Sequence, residues 1–459
     1  MEGLVAIAAV MALVWAGVFF FRGGPLAACL IFMLTATCFS ADFLGISAGP
    51  LRLTVDRIVW CVMIFLYLIW RRQGWNDPKP MRAADTMLLA LVGYLALRTF
   101  TANWQANGCA PVVHFVLSYL MPLGVYWVVR QSRLAEPQSR MILACLALFG
   151  LYLAVTIVAE KFRFYGLVYP RYIIDSMADK KTEFVGRGRG PLLQPMITGI
   201  QLAVCWSAAL LAWPRWGRAG RVALVLFSLL AALAAHSTLT RSVWMGTGFS
   251  LAVLVVAGMP RQWRLPAIAA ATIAATVVTL ACWDQLVAFK RDRNLTARET
   301  ADSVELRPIM AAVAWRMVKD RPWFGCGFDQ YLPEHVFYLD DRTTQLVLEK
   351  ARPYVPHNLL LAIVTETGIF GLALFLGLLV LWSRDAWRLW RAAALPLWAR
   401  QHGLLFLAGL GAYLINGMFH HVAMVPMANV LLFFLAGFVA GVGSQRLEVS
   451  SQQAVGRSQ

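Results

Sequence analysis

Residues 351–382 read ARPYVPHNLLLAIVTETGIFGLALFLGLLVLW. The stretch changes character at Pro356-His357-Asn358. Before that lip stand arginine, proline and tyrosine. After it, Leu359 to Trp382 carries Glu366 as its single ionisable residue. The hydrocarbon core of a bilayer takes about 20 apolar residues in helical form, so this run is long enough to cross it. Asn358 suits a helix cap, because its side-chain oxygen accepts from an otherwise orphaned backbone N–H. Glu366 falls about 12 Å into the run at 1.5 Å per residue, where a carboxylate needs a partner or a proton. An imidazole exchanges protons near neutrality. A histidine at the lip of a membrane helix, with arginines before it, points to chemistry at a membrane surface.

The pattern recurs along the chain. Of its 459 residues 59% are hydrophobic and 14% charged, against about 45–50% and about 25% in soluble domains. The apolar runs approach 20 residues, so the strands of an outer-membrane barrel, about 10 residues with strict alternation, do not fit. We expect an all-α polytopic membrane protein with about 12–13 transmembrane helices and a large, partly helical outward loop. The spans fall at roughly 3–21, 24–43, 54–70, 84–100, 111–129, 140–159, 191–213, 222–240, 243–259, 265–282, 358–382, 403–419 and 427–443. The first, from Leu4 to Phe21, lacks a basic leader and a small-residue cleavage site, and is taken as a retained span.

Orientation follows from the short loops. One set carries Arg22; Arg71, Arg72, Lys79 and Arg82; Arg130, Arg133 and Arg140; Arg215, Arg218 and Arg221; Arg261 and Arg264; and Arg384, Arg388, Arg391 and Arg400. The opposite set carries Arg52, Arg57, Arg98 and Arg241. The basic set is therefore cytoplasmic. The net charge of +17 is accounted for by these loops and their lipid contacts; no nucleic-acid module is visible, so no nucleic-acid partner is expected. The expected division is 1–282 for spans 1 to 10, including an outward loop at 160–190; 283–357 for an outward cap; 358–443 for spans 11 to 13; and 444–459 for a polar, mobile cytoplasmic tail. Within the cap, Arg307 to Lys319 is rich in helix formers, with Pro308 suited to a first turn and Pro322 ending the helix beyond Asp320.

Three polar clusters face outward in this topology. The first is Gly186-Arg187-Gly188-Arg189-Gly190-Pro191, where glycines allow close backbone approach and a guanidinium offers phosphate a fork of donors. The bland alternative is a basic loop beside lipid headgroups. The second is Ser237-Thr238-Leu239-Thr240-Arg241-Ser242. An arginine in that short turn runs against the charge bias and is costly near hydrocarbon unless it snorkels or is paired. The third is the opening stretch with its lip. Six of the seven histidines (His114, His236, His335, His357, His420 and His421) fall on this side; interfacial anchoring is the expected role of His420 and His421. The eight cysteines show no metal spacing and no H-E-x-x-H run exists, so neither a metal nor any other cofactor is expected. Cys109 and Cys326 both fall in outward loops, which leaves a disulfide between them open. Guanidiniums with one proton-transfer group suit a substrate whose leaving group is a diphosphate.

From about Arg187 to Gly371 the sequence resembles the O-antigen ligase and O-antigen polymerase superfamily. The resemblance rests on Arg307 and Trp315 in a helix, then Pro322-Trp323-Phe324-Gly325-Cys326-Gly327, then His357-Asn358, then Glu366-Thr367-Gly368. Arg241 matches the family's serine/threonine-arginine signature, and Arg187 with Gly190-Pro191 and Pro195 is similar to an R-x-x-G-P-x-x-x-P pattern. Gln194 stands where a histidine is common, and Arg189 is an alternative to Arg187. The resemblance implies a metal-independent, inverting glycosyl transfer at the periplasmic face of a bacterial inner membrane. The donor would be an undecaprenyl-diphosphate-linked glycan, and the acceptor a second glycan or lipid A core. It implies His357 as base, and Arg187 and Arg241 as the diphosphate-binding catalytic arginines. Arg189, Arg307, Arg316, Asn358 and Glu366 follow as substrate-binding candidates. A flippase of lipid-linked sugars and a non-catalytic export subunit are the competing readings.

Overall fold

The computed structural model describes residues 23–39, 45–48, 51–74, 78–105, 110–177, 184, 186–281, 297–340 and 344–458. The expected first span and Cys109 lie outside these residues. The long helices are α1 (Gly23–Cys38), α2 (Val55–Arg72), α3 (Ala83–Phe100), α4 (Pro111–Gln131), α5 (Glu136–Lys161), α6 (Pro195–Leu211) and α7 (Arg218–Ser237). There follow α8 (Arg241–Gly258), α9 (Arg261–Ala281), α10 (Ala297–Asp320), α11 (Leu359–Arg391), α12 (Leu397–Gly417) and α13 (Pro426–Ser458). From the second onward, every expected span overlaps one of these helices. Seven helices among the described residues are long and apolar enough to cross a membrane: α3, α4, α5, α7, α8, α11 and the Pro426–Gln445 part of α13. The protein is an all-α polytopic membrane protein. Its β structure, among the described residues, is one short antiparallel hairpin, β1 (Gly45–Ala48) with β2 (Leu51–Thr54), in register Ile46↔Leu53. The sequence reading has no strand there.

The membrane part of α13 is almost wholly enclosed, packed along α4 and against α11 and α12. Trp382 of α11 sits at the centre, edge-on to Phe406 and Phe433 and tilted against Tyr126. Pro122 lacks an N–H, which frees the Ser118 carbonyl one turn earlier. A π turn at Val116–Leu120 forms at that place, and Asn429 of α13 donates to the freed carbonyl at 2.8 Å.

The basic end of the bundle is locked by charge. Arg130 is fully buried and pairs with Asp85 at 2.7 Å. The Tyr126 hydroxyl donates to the same carboxylate, and Lys79 donates to the carbonyls of Arg130 and Ser132. A buried charge persists only with such partners. Lys79 and Arg130, two members of the basic loop set, therefore also hold α3 to α4.

Two expectations are corrected. Helix α10 begins at Ala297, so Pro308 lies inside it rather than in its first turn. The lost hydrogen bond is outweighed by the apolar face that follows: Ile309, Met310, Val313, Ala314 and Met317 form the cap's own core with Tyr331, Leu339 and Leu348. The polar tail continues α13 to Ser458 instead of leaving the helix near 444. No proline follows Pro426 to end it.

Candidate functional site

Glu160, at the end of α5, organises the first cluster. Its carboxylate accepts from the backbone N–H groups of Arg189 and Gly190 at 2.7 and 2.8 Å and pairs with the Arg189 guanidinium at 2.7 Å. Arg189 is fully buried and also donates to the Ile173 carbonyl. It is a structural pin. Arg187, two residues earlier, is part-exposed, with its guanidinium 5.2 Å from the Phe184 ring centroid. Between them Gly188 donates its N–H to the Ser237 carbonyl at 2.9 Å. A Cβ at 188 would lie 2.5 Å from the Ile157 side chain, so only glycine allows this approach. One hydrogen bond thus brings the Arg187 loop onto the turn that opens α8 at Arg241. Arg241 is part-buried, with its Nε enclosed.

The same end of the bundle receives the third cluster. Gly246 of α8 packs against Ala412 and Asn416 of α12. From that level Arg241 lies five residues up α8, about 7.5 Å, and α12 ends at Gly417, which packs against Leu359. Asn358 caps α11 as expected, accepting from the Leu361 N–H at 3.0 Å, and its Nδ2 donates to the Met418 carbonyl. His357 stands beside it, half-buried, with its ring 6.1 Å from His420 and 6.3 Å from Tyr354. Arg307 of α10 lies over the Phe419 ring at 4.9 Å. Arg316 is nine residues further along α10, two and a half turns, and so occupies the opposite face. The structure gathers Arg307, His357 and Asn358 around residues 418–420.

Helix α11 is broken at Gly368, whose φ of 69° only glycine adopts cheaply. The break frees backbone groups on both sides, and the 322–327 turn takes them up. Cys326 and Gly327 donate to the carbonyls of Thr365 and Glu366 at 2.9 Å each. The N–H groups of Ile369 and Phe370 donate to Pro322 and Trp323 at 2.8 and 3.4 Å. The Tyr94 hydroxyl caps the Thr367 carbonyl at 2.6 Å. A Cβ at Gly368 would sit 2.1 Å from the Trp323 oxygen, and one at Gly325 2.4 Å from the Glu366 carbonyl carbon. Cys326, inside this turn, is a free thiol. The Glu366 carboxylate accepts the Asp329 N–H at 3.1 Å and is also bonded by the Tyr331 backbone. It serves the cap loop.

Sequence reasoning missed the other side of this loop. Asp329 is held at φ 59°, a strained value for a non-glycine residue. Its carboxylate pairs with His114 Nδ1 at 2.8 Å and accepts the Ala110 N–H at 2.7 Å. His421 lies within electrostatic reach of Asp329, His357 and His114; burial pushes its imidazole down to about 4, opposed by the Asp329 charge. Glu366 and His421 both line a small pocket with Tyr119, Phe328 and Ile363. His114, His357, His420 and His421 therefore meet in one band. The shared side of the membrane expected from the loop charges was the only signal in the sequence. No group of three or more His, Cys, Asp or Glu side chains among the described residues is arranged to hold a metal.

Residues 223–376 match the family model described as O-Antigen ligase. That match supports the resemblance to the O-antigen ligase and polymerase superfamily over this segment of the chain. Among curated proteins none matches it. The O-antigen ligase segment contains Arg241, Arg307, Arg316, the 322–327 turn, His357, Asn358 and Glu366. Arg187, Arg189 and the His420–His421 connection lie outside it. The ligase motifs also divide by task. The glycines of the 322–327 turn and Gly368 stitch cap to broken helix, whereas Arg241 and His357 face the common end of α8, α11 and α12.

Proposed function

We propose that this O-antigen ligase-like membrane enzyme transfers or polymerises an undecaprenyl-diphosphate-linked glycan at the periplasmic face, by a metal-independent, inverting displacement. The supporting observation is the hydrogen bond from Gly188 to Ser237, which sets the Arg187 loop on the first turn of α8. Two guanidiniums then flank one end of the bundle, with His357 just ahead of α11, which packs on α12 as α8 does.

In this reading an acceptor hydroxyl oxygen attacks the anomeric carbon of the donor. Its proton passes to His357, the new C–O bond forms, and the bond from that carbon to the diphosphate oxygen breaks. Arg187 and Arg241 neutralise charge on the departing diphosphate. Arg307, exposed over Phe419, suits the glycan or acceptor, and Asn358 and Glu366 hold the lip and the cap in place. The acceptor is a second lipid-linked glycan or lipid A core. A transport reading finds one favourable feature, the broken helix of α11. There, however, the freed backbone groups of Thr365, Glu366, Thr367, Ile369 and Phe370 are taken up by the protein itself.

The test is a choice of donors. Purified protein is offered the same glycan on undecaprenyl diphosphate and on undecaprenyl monophosphate, with each acceptor. Product from the diphosphate donor alone, with inverted anomeric configuration, is the expected result. Equal use of both donors, or retention, would overturn the reading.

A further inference from the structure

We propose that the cap is embedded in the cap-side leaflet of the bilayer through Trp323 and Phe324, and that hydrocarbon contact along α11 begins at Ile369. The inference stands on the fold and is independent of the reaction assigned above.

Trp323 is 58% exposed and Phe324 55%, on the turn that follows the cap helix α10. Phe370, 49% exposed, lies against both, with ring centroids 5.9 and 5.3 Å away. Soluble surfaces do not gather large apolar rings without a partner for them. The patch is not on a loose loop. Four backbone hydrogen bonds fix the 322–327 turn to the broken helix, so the rings are held in place before any partner arrives.

The surface continues into two membrane spans, which identifies that partner as lipid. Below the patch, α11 exposes Phe370, Leu376 and Val380 on one side. The adjoining helix α3, joined to α11 through Tyr94, exposes Leu89, Leu97 and Phe100. Above the break the picture reverses: Ala362 to Gly368 are all buried, wrapped by protein on every side. Lipid contact thus starts where the helix restarts.

The length of α11 agrees. Its 33 residues would extend about 50 Å at 1.5 Å per residue, much more than the roughly 30 Å of hydrocarbon. From Phe370 to Trp387, exposed rings at the two ends of the lipid-facing part, the rise is about 26 Å. Aromatic rings collect at both interfaces of a bilayer, and this pair spans it. The half-helix above Gly368, with His357 at its start, then stands clear of hydrocarbon. Glu366 lies at headgroup level instead of deep in a span.

The full-length protein in liposomes tests this. A nitroxide carried on an unnatural side chain is placed at position 324, and for reference at 376 in the span and at 350 on the cap. Collision with oxygen is compared with collision with a water-soluble nickel complex. The label at 324 is expected to resemble that at 376, with nickel access lower than at 350 by roughly an order of magnitude, since a polar complex is excluded from hydrocarbon. As a second readout, brominated lipids should quench the wild type more than Trp323→Phe. Nickel access at 324 equal to that at 350, with no quenching difference, would overturn the proposal.

Discussion

The two ends of the bundle use arginine in opposite ways. At the basic end Arg130 is fully buried, paired with Asp85 and supported by Tyr126. At the cap end Arg189 repeats that arrangement with Glu160, yet Arg187 two residues away and Arg241 on the touching turn keep part of their surface open. An enclosed, fully paired arginine is a fastener. A part-open arginine is the kind that the proposed reaction can use. Full burial beside a carboxylate, more than spacing in the sequence, marks the fastener.

Removing a fastener should have the largest effect on stability. Arg189→Ala leaves Glu160 buried without its cation and should cost about 3–5 kcal/mol, read as a large drop in the denaturation midpoint of the detergent-solubilised protein. Arg187→Ala should leave that midpoint unchanged and lower transfer instead. If the two variants behave alike, the distinction between the arginines fails.

The next effect concerns pH. His421 is held neutral down to about 4, against 6.5 for a free imidazole. The unfolded chain therefore binds a proton at this site that the folded protein refuses. The contribution is complete above about 6.5 and lost as pH falls toward 4, a total of roughly 3 kcal/mol. His421→Gln should flatten the acid limb of the stability profile; an unaltered limb would show that His421 does not titrate this way.

A smaller effect is expected at Arg241. Arg241→Lys keeps the charge but loses the planar fork. Transfer should fall about tenfold or more, equivalent to about 1.4 kcal/mol, with stability unchanged. Wild-type rates would move Arg241 into the class of Arg130.

The spans were legible because an apolar run near 20 residues matches the thickness of hydrocarbon and exceeds an ordinary buried core helix. The cap helix was legible beyond Pro308, where its apolar face begins, and the Asn358 cap could be read from residue type alone. The break at Gly368 was hidden inside an apolar run, because its cause is a turn more than 40 residues earlier that takes up its backbone groups. The roles of Arg187 and Arg189 could not be divided, since Glu160 reaches Arg189 from 29 residues earlier in the chain. Asp329 and His114 meet only through the fold, and nothing near either one announces the pair.

Everything proposed for the reaction turns on His357 taking the acceptor's proton at a diphosphate site. Transfer from an undecaprenyl-diphosphate glycan by reconstituted wild type and His357→Ala, with the denaturation midpoint measured on both, probes that step directly. The rate should fall by about 10²–10⁴, the usual contribution of a general base, with the midpoint preserved. Full turnover by a folded His357→Ala protein would rule out His357 as the base.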